Sequence, residues 1–193
     1  MRYSATHKAD TRKHLLRTAG ALAKEKGFSS TGVDALMAAA GLTSGAFYNH
    51  FSSKTELFSE LLKRELDHSF TMFADELSGE SVDEWIARQL KRYLNWKHVQ
   101  SSGSGCVVPS LGAEIGRADE PARKIFEDAA KRTQKVWAEQ LGDEKMAWAV
   151  ISQLIGSVLL ARAMASEKTS KEVLDASKEV LTNVLAQLDS RKD

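Results

Sequence analysis

The segment from Gly41 to Leu57, GLTSGAFYNHFSSKTEL, constrains this chain more than any other. Two glycines and a run of small or hydroxylated residues surround Phe47, Tyr48 and Phe51, and a helix start follows. A helix buried on all sides does not carry so many small polar groups, and a solvated loop does not carry three aromatics. The combination predicts a short rigid helix with one packed face and one face stripped for close contact.

Around it the chain reads as helices. It contains two prolines, and glycines fall where apolar periodic runs stop. Leu15, Leu16, Ala19, Leu22 and Ala23 predict a helix ending at Gly27, and Val33, Leu36, Met37 and Ala40 a second, short one ending at Gly41. Thr31 with Asp34, Ser53 with Glu56, and Ser81 with Glu84 have the spacing of capping boxes. Asp119 and Pro121 open a helix that runs to Leu141, Gly142 and Asp143 punctuate, and Thr169 with Glu172 caps a last helix striped by Val173, Leu174, Val180, Leu181, Val184, Leu185 and Leu188. Ser101–Gly105, SSGSG, is the most flexible-looking stretch and precedes CVVPSLGAEIG, which predicts a turn and short helix. With no period-two run long enough for a strand, the expected fold is all-α, with about nine helices.

Charge is uneven. The net charge is +1, but Met1–Lys54 holds eight Lys and Arg against three Asp and Glu, so a basic first third on an acidic remainder points to a polyanionic partner. Cys106 is the only cysteine, which excludes an intramolecular disulfide and a four-cysteine zinc site. The N-terminal stretch lacks the apolar region of a secretory signal. Met146–Ala165 is about long enough to span a membrane, but Arg162, Ser152, Gln153 and Ser157 interrupt it, so it is expected to be a helix buried on all sides of a cytoplasmic protein. Five scattered histidines, no HExxH and no glycine-rich phosphate loop argue against an enzyme, and neither a metal nor a cofactor is expected.

Two short helices of about eight or nine residues each, joined at Gly41, match a helix-turn-helix whose second member enters a major groove about 12 Å wide. Phe47 and Phe51 pack its underside, while Thr43, Ser44, Gly45, Ala46, Tyr48, Asn49 and His50 are free to face DNA. Lys54, in the first turn of the following helix, is placed to grip a phosphate. Gly27 to Phe58, GFSSTGVDALMAAAGLTSGAFYNHFSSKTELF, resembles the DNA-binding domain of the tetracycline repressor (TetR) family of bacterial transcription regulators. The resemblance is carried by Gly27-Phe28, Thr31, Val33, Ala40-Gly41-Leu42, Ser44-Gly45-Ala46, Phe47-Tyr48, His50-Phe51, Lys54 and Leu57. It implies a DNA-binding domain over 8–69, with the helix-turn-helix at 32–51, and a helical ligand-binding and dimerisation domain over 70–193. It also implies DNA contacts from Thr31, Thr43, Ser44, Gly45, Tyr48, His50 and Lys54. Asn49 is added because its amide can pair with adenine. Arg2, Lys8, Arg12 and Lys13 are further candidates for phosphate or minor-groove contacts.

The apolar stripes of the last two helices exceed what one small body can cover, which predicts a homodimer through a four-helix bundle and a near-palindromic operator. Family resemblance implies that a small-molecule inducer in the body shifts the helix starting at Lys54 and releases DNA, as a repressor would; an activator stays open. Met72, Phe73, Tyr93, Trp96, Trp137, Trp148 and Gln153 are candidate ligand contacts. Cys106, after SGSG, is either a small buried residue at a helix start or a sensor of electrophiles and oxidants. A helical small-molecule-binding dimer that does not bind DNA is the remaining alternative.

Overall fold

The computed structural model describes residues 5–75 and 77–189, with the side chains of 8–75 and 77–187. Among the described residues there are nine α-helices and no strand. They are α1 (Ala5–Lys26), α2 (Val33–Ala38), α3 (Lys54–Ala74), α4 (Val82–Tyr93), α5 (Trp96–Gln100), α6 (Val108–Arg117), α7 (Glu120–Leu141), α8 (Glu144–Ala163) and α9 (Glu167–Asp189), with 310 turns at Ser44–Asn49 and Ser102–Ser104. The chain divides into two packed units. One takes in the residues up to Asp67 together with Ser102–Glu127, and the other holds His68–Ser101 with the residues from Asp128 onward. Whereas the sequence places Ser102–Glu127 in the second part of the chain, its packing puts it with the first.

In the first unit, Leu15, Ala19 and Ala23 of α1 meet Leu36, Met37, Phe47, Phe51, Leu57, Leu61 and Leu62 in a fully buried core. Inside it lies an ion pair. Lys24 Nζ of α1 is 2.6 Å from Glu65 Oε2 of α3, each side chain is 2% exposed, and the same ammonium donates to the Gly105 carbonyl at 3.0 Å. Gly20 makes room: a Cβ there would sit 2.6 Å from Glu65 Oε1. The SSGSG stretch is therefore ordered and docked on α1 rather than loose, because a buried ammonium needs acceptors and Gly105 supplies one.

In the second unit the C-terminal carbonyls of α3 are satisfied by side chains. Trp137 Nε1 donates to Phe73 O at 3.0 Å, Arg92 Nη2 to Thr71 O at 3.2 Å, and Trp85 Nε1 to Asp75 O at 2.8 Å. Arg88 and Arg92 also hold the Asp75 carboxylate, at 2.8 and 2.7 Å. Hydrogen bonds from Arg92 above all, and from Arg88 and Gln89, hold that carboxyl well below the usual aspartate range. Ser81 and Glu84 form the expected capping box on α4. The last helix starts earlier than Thr169: Ser166 Oγ accepts from Thr169 N at 3.2 Å, so Ser166 is the cap, while Thr169 sits inside the first turn. Leu188 lies outside the described side chains.

The helix α8 is the one described helix long and apolar enough to cross a membrane by length and composition. It buries Ala147, Val150, Ile151, Leu154, Val158 and Ala161, and Ser157 Oγ bonds Ser177 Oγ of α9 at 2.8 Å. The expectation of burial on all sides does not hold. Trp148 is 42% exposed and Leu159 53%, because among the described residues only one side of α8 is covered.

Removing one member of a buried ion pair leaves a desolvated charge, which costs about 3–5 kcal/mol, whereas replacing both with apolar groups is near neutral. Glu65 also pairs with Arg64, so the substitution that strands a buried charge is at Glu65. Glu65→Leu is thus expected to lower stability by about 3–5 kcal/mol, with Lys24→Met/Glu65→Leu recovering most of the loss, read from urea-unfolding midpoints. Asp75 gives a second test. Its folded pKa is depressed, so its contribution is complete above the ordinary value of 3.8 and is lost as pH falls below it. In Asp75→Asn, stability should fall less steeply between about pH 4 and about pH 2 than in the parent, measured by circular dichroism.

Candidate nucleic-acid interface

The turn between α2 and the next element is built by Gly41. Its φ of +69° lets Leu42 N reach Met37 O at 3.0 Å and Gly41 N reach Ala38 O at 2.9 Å, a Schellman closure. The elements on either side are shorter than the sequence suggests, at six residues each, and the second is a 310 helix. Ser44, Gly45 and Asn49 are poor α-formers, which weakens the i→i+4 pattern over this segment and favours the tighter i→i+3 turn. Ala46 N bonds Thr43 O at 3.0 Å and His50 N bonds Phe47 O at 2.9 Å.

Beneath the turn, Phe47 and Phe51 are buried with ring centroids 5.9 Å apart. On the other side Tyr48 is 77% exposed, its ring set edge-on to Phe47 at 5.2 Å. Thr43, Ser44, Gly45 and Asn49 are exposed, whereas His50 and Lys54 are half-buried. Burial, and then the charges of Lys8 and Arg12, push the His50 imidazole below its ordinary 6.5, so it is neutral at pH 7. Glu56 caps the helix behind: its N–H bonds Ser53 Oγ at 3.0 Å, while its carboxylate reaches back to Ser52 N at 2.7 Å, one residue earlier than a standard box.

Three candidates are engaged differently from their expectation. Thr31 is 5% exposed and its hydroxyl donates to Gly27 O at 2.5 Å; Gly32, not Thr31, caps α2, so the Thr31–Asp34 box is absent. Lys54 turns toward the protein, with Nζ 3.2 Å from Ser29 O and 5.0 Å from the Phe28 ring centroid. Arg12 is used internally. Its guanidinium donates to His50 O, lies 4.2 Å over the Phe51 ring and is 3.5 Å from Glu60 Oε2. Lys8 and Lys13 are exposed, and Arg2 lies outside the described residues. Sequence reasoning missed Glu114, whose carboxylate accepts from Phe28 N at 3.0 Å and Ser29 N at 2.7 Å, just after the positive-φ Gly27. A glycine C-cap leaves such N–H groups open, and that was the available signal.

The candidate ligand contacts stand in different local surroundings. Phe73 and Tyr93 stack at 4.3 Å, and Trp137 is fully buried against Trp85 at 4.6 Å, as packed core. Met72 is half-buried, and Trp96 lies under the Lys171 ammonium at 5.7 Å. Gln153 Nε2 faces Ser177 O at 3.5 Å, and Trp148 is exposed. Cys106 is fully buried and belongs to the first unit, whereas the other seven belong to the second.

Residues 15–61 match the family described as bacterial regulatory proteins, tetR family. The chain is 30% identical over 124 residues to the transcriptional repressor NemR of Escherichia coli (strain K12), covering 63% of this chain and 62% of that one. It is 28% identical over 128 residues to the transcriptional repressor DhaR of Mycobacterium sp. (strain GP1), covering 64% of each. Thus the chain spans somewhat under two thirds of these relatives' length. The solved structure of reduced E. coli NemR superposes with a TM-score of 0.75 at 23% identity, covering 90% of this chain and 96% of that one, a likeness of fold.

Arg12 is the side chain that ties the end of the 310 turn to α3. Arg12→Ala should cost about 1–2 kcal/mol of stability and raise amide exchange at His50 and Phe51 ahead of the rest of the core, as read by hydrogen-exchange NMR.

Proposed function

We propose that this chain, whose residues 15–61 match the tetR family of bacterial regulatory proteins, is a homodimeric, inducer-responsive transcriptional repressor acting in the cytoplasm on a near-palindromic operator. The observation that carries the reading is the Ser44–Asn49 turn, with Tyr48 out and Phe47 buried beneath it. An exposed, hydroxyl-lined face on a rigid aromatic base is what a major groove accepts.

Each side chain has a separate task. Thr43 and Ser44 offer hydroxyls to phosphates, and Gly45 lets the backbone approach them closely. Tyr48 packs a flat apolar face against the groove edge, and Asn49 can pair bidentately with adenine. Neutral His50 offers one donor or acceptor rather than a charge. Lys54 swings from Ser29 O onto a phosphate at the N-terminus of α3. Thr31 supports these contacts by holding the Gly27 turn, since its hydroxyl is already engaged. No Arg or Lys falls between Thr43 and Ser53, so phosphate contacts elsewhere supply much of the affinity.

The dimer is supported by the apolar side chains that α8 and α9 leave uncovered: Trp148, Leu159, Leu160, Val180 and Val184. A second copy covers them in a four-helix bundle and sets two 310 turns about 34–36 Å apart, one turn of duplex. Residues 8–69 then serve as the DNA-binding part, and 70–193 as the part that takes the inducer and dimerises. Inducer and DNA favour different separations of the two heads, so each weakens the other by the same factor.

A gel shift with DNA flanking the chain's own gene tests this. The parent should bind a fragment with affinity that falls steeply between about 50 and about 200 mM salt. Tyr48→Ala should lose about tenfold or more, a cost of about 1–3 kcal/mol, without loss of helicity. Flat salt dependence, or a monomer by ultracentrifugation, would refute the reading.

A redox-responsive version of the switch is the second reading, favoured by the similarity to a NemR structure described as a reduced form. Cys106 is the only thiol, and its full burial means that a reagent reaches it only through local opening. If it senses oxidants, hypochlorite or N-ethylmaleimide should release DNA from the parent and not from Cys106→Ser; equal release from both assigns Cys106 to packing alone.

A further inference from the structure

A cavity of about 420 Å³ opens within the first unit, beside the Phe28–Ser29 turn, the first turn of α3 and the junction of α6 with α7. Its apolar side is the aromatic pair Phe28 and Phe58, with ring centroids 4.7 Å apart and 6% and 7% exposed. Four charged side chains, Glu114, Asp119, Lys54 and Arg117, share the rest of the lining with Ser29, Thr55 and Ala118.

The acids and the cations of this lining are not equally occupied. Both Glu114 oxygens accept hydrogen bonds, one from Phe28 N and the other from Ser29 N and Ser29 Oγ. Asp119 Oδ1 accepts from Ala122 N at 3.0 Å as the cap of α7. By contrast, Lys54 gives a single hydrogen bond, to Ser29 O. Arg117 is exposed and has no hydrogen-bond or ion-pair partner among the described residues. The formal charges of the four cancel, but unused hydrogen-bond donors outnumber unused acceptors: the ammonium has two N–H groups to spare and the guanidinium five. The N-terminal end of α3 adds positive potential on the same side. What fits is an anion that brings its own apolar body, and the volume suits a molecule of about one ring.

We propose that this crevice binds a small apolar monocarboxylate. Its carboxylate is held by Arg117 and Lys54, and its hydrocarbon part lies on Phe28 and Phe58. A neutral molecule of the same shape has the aromatic contact but leaves both cations unanswered, so charge should decide the affinity. Since Lys54 is also the side chain proposed to grip a DNA phosphate, an occupant competes with DNA for it. That consequence rests on the DNA-binding reading, but the binding itself does not.

Benzoate and benzamide, titrated into the full chain without DNA, test the site through ¹H–¹⁵N spectra. Benzoate should shift the amides of Phe28, Ser29 and Thr55 saturably, and benzamide should bind about tenfold more weakly. Arg117→Gln, a substitution at an exposed position, should weaken benzoate about fivefold or more and leave benzamide unchanged, with Arg117→Lys restoring part of the loss. Equal affinity for the two probes, an unaltered benzoate titration in Arg117→Gln, or shifts confined to other residues would overturn the site. So would the absence of saturable shifts at tens of millimolar benzoate. None of these results bears on whether the chain binds DNA, which the gel shift reads separately.

Discussion

A charged pair with both side chains 2% exposed is an expensive thing to place in a small helical unit, and Lys24 with Glu65 is such a pair. It is tolerated because the ammonium also reaches Gly105 O and because Gly20 has no side chain in the way. Those contacts tie α1, α3 and the 102–105 segment to one another at a single point. Hydrophobic packing alone allows helices to slide or rotate a little, while a buried ion pair with one good geometry does not. The position of α3 against α1, and with it the placing of the 310 turn between them, depends on that point.

The same economy of polar groups runs through both units. Helix ends leave N–H and C=O groups that water cannot always reach, and this chain answers them with side chains from other helices. Glu114 of α6 accepts the N–H groups of Phe28 and Ser29, and Arg12 of α1 donates to His50 O at the end of the 310 turn. Trp85 and Arg92 of α4, with Trp137 of α7, cover the last carbonyls of α3. Such bonds have direction, which apolar contact lacks, so they orient elements that the core merely gathers.

Two surfaces stand out among the described residues. One is the face around Tyr48, polar, short-chained and backed by Phe47 and Phe51. The other is the apolar strip of Trp148, Leu159, Leu160, Val180 and Val184 on the last two helices. They differ in chemistry: hydroxyls and an amide line one, and bulky hydrocarbon the other.

Helix count, helix ends at Gly27, Gly41 and Gly142, and the in-and-out pattern of residues 43–51 were legible in the sequence. They follow from local rules: periodicity, caps, and glycine at positive φ. Long-range partners were not legible. Arg12 and Lys54 looked like free basic side chains, yet each is folded back onto an aromatic ring and a carbonyl. SSGSG looked loose by composition, and a lysine 81 positions away in the chain orders it. Tyr93, Trp137 and Phe73 stood out as bulky aromatics, but that each is buried against an aromatic neighbour from another helix is settled by packing. The division has a physical reason. Whether a segment is helical, and where it stops, is decided by groups within a turn or two of one another. Which acceptor satisfies a given charge is decided only once distant helices have met, and that is a property of the folded chain.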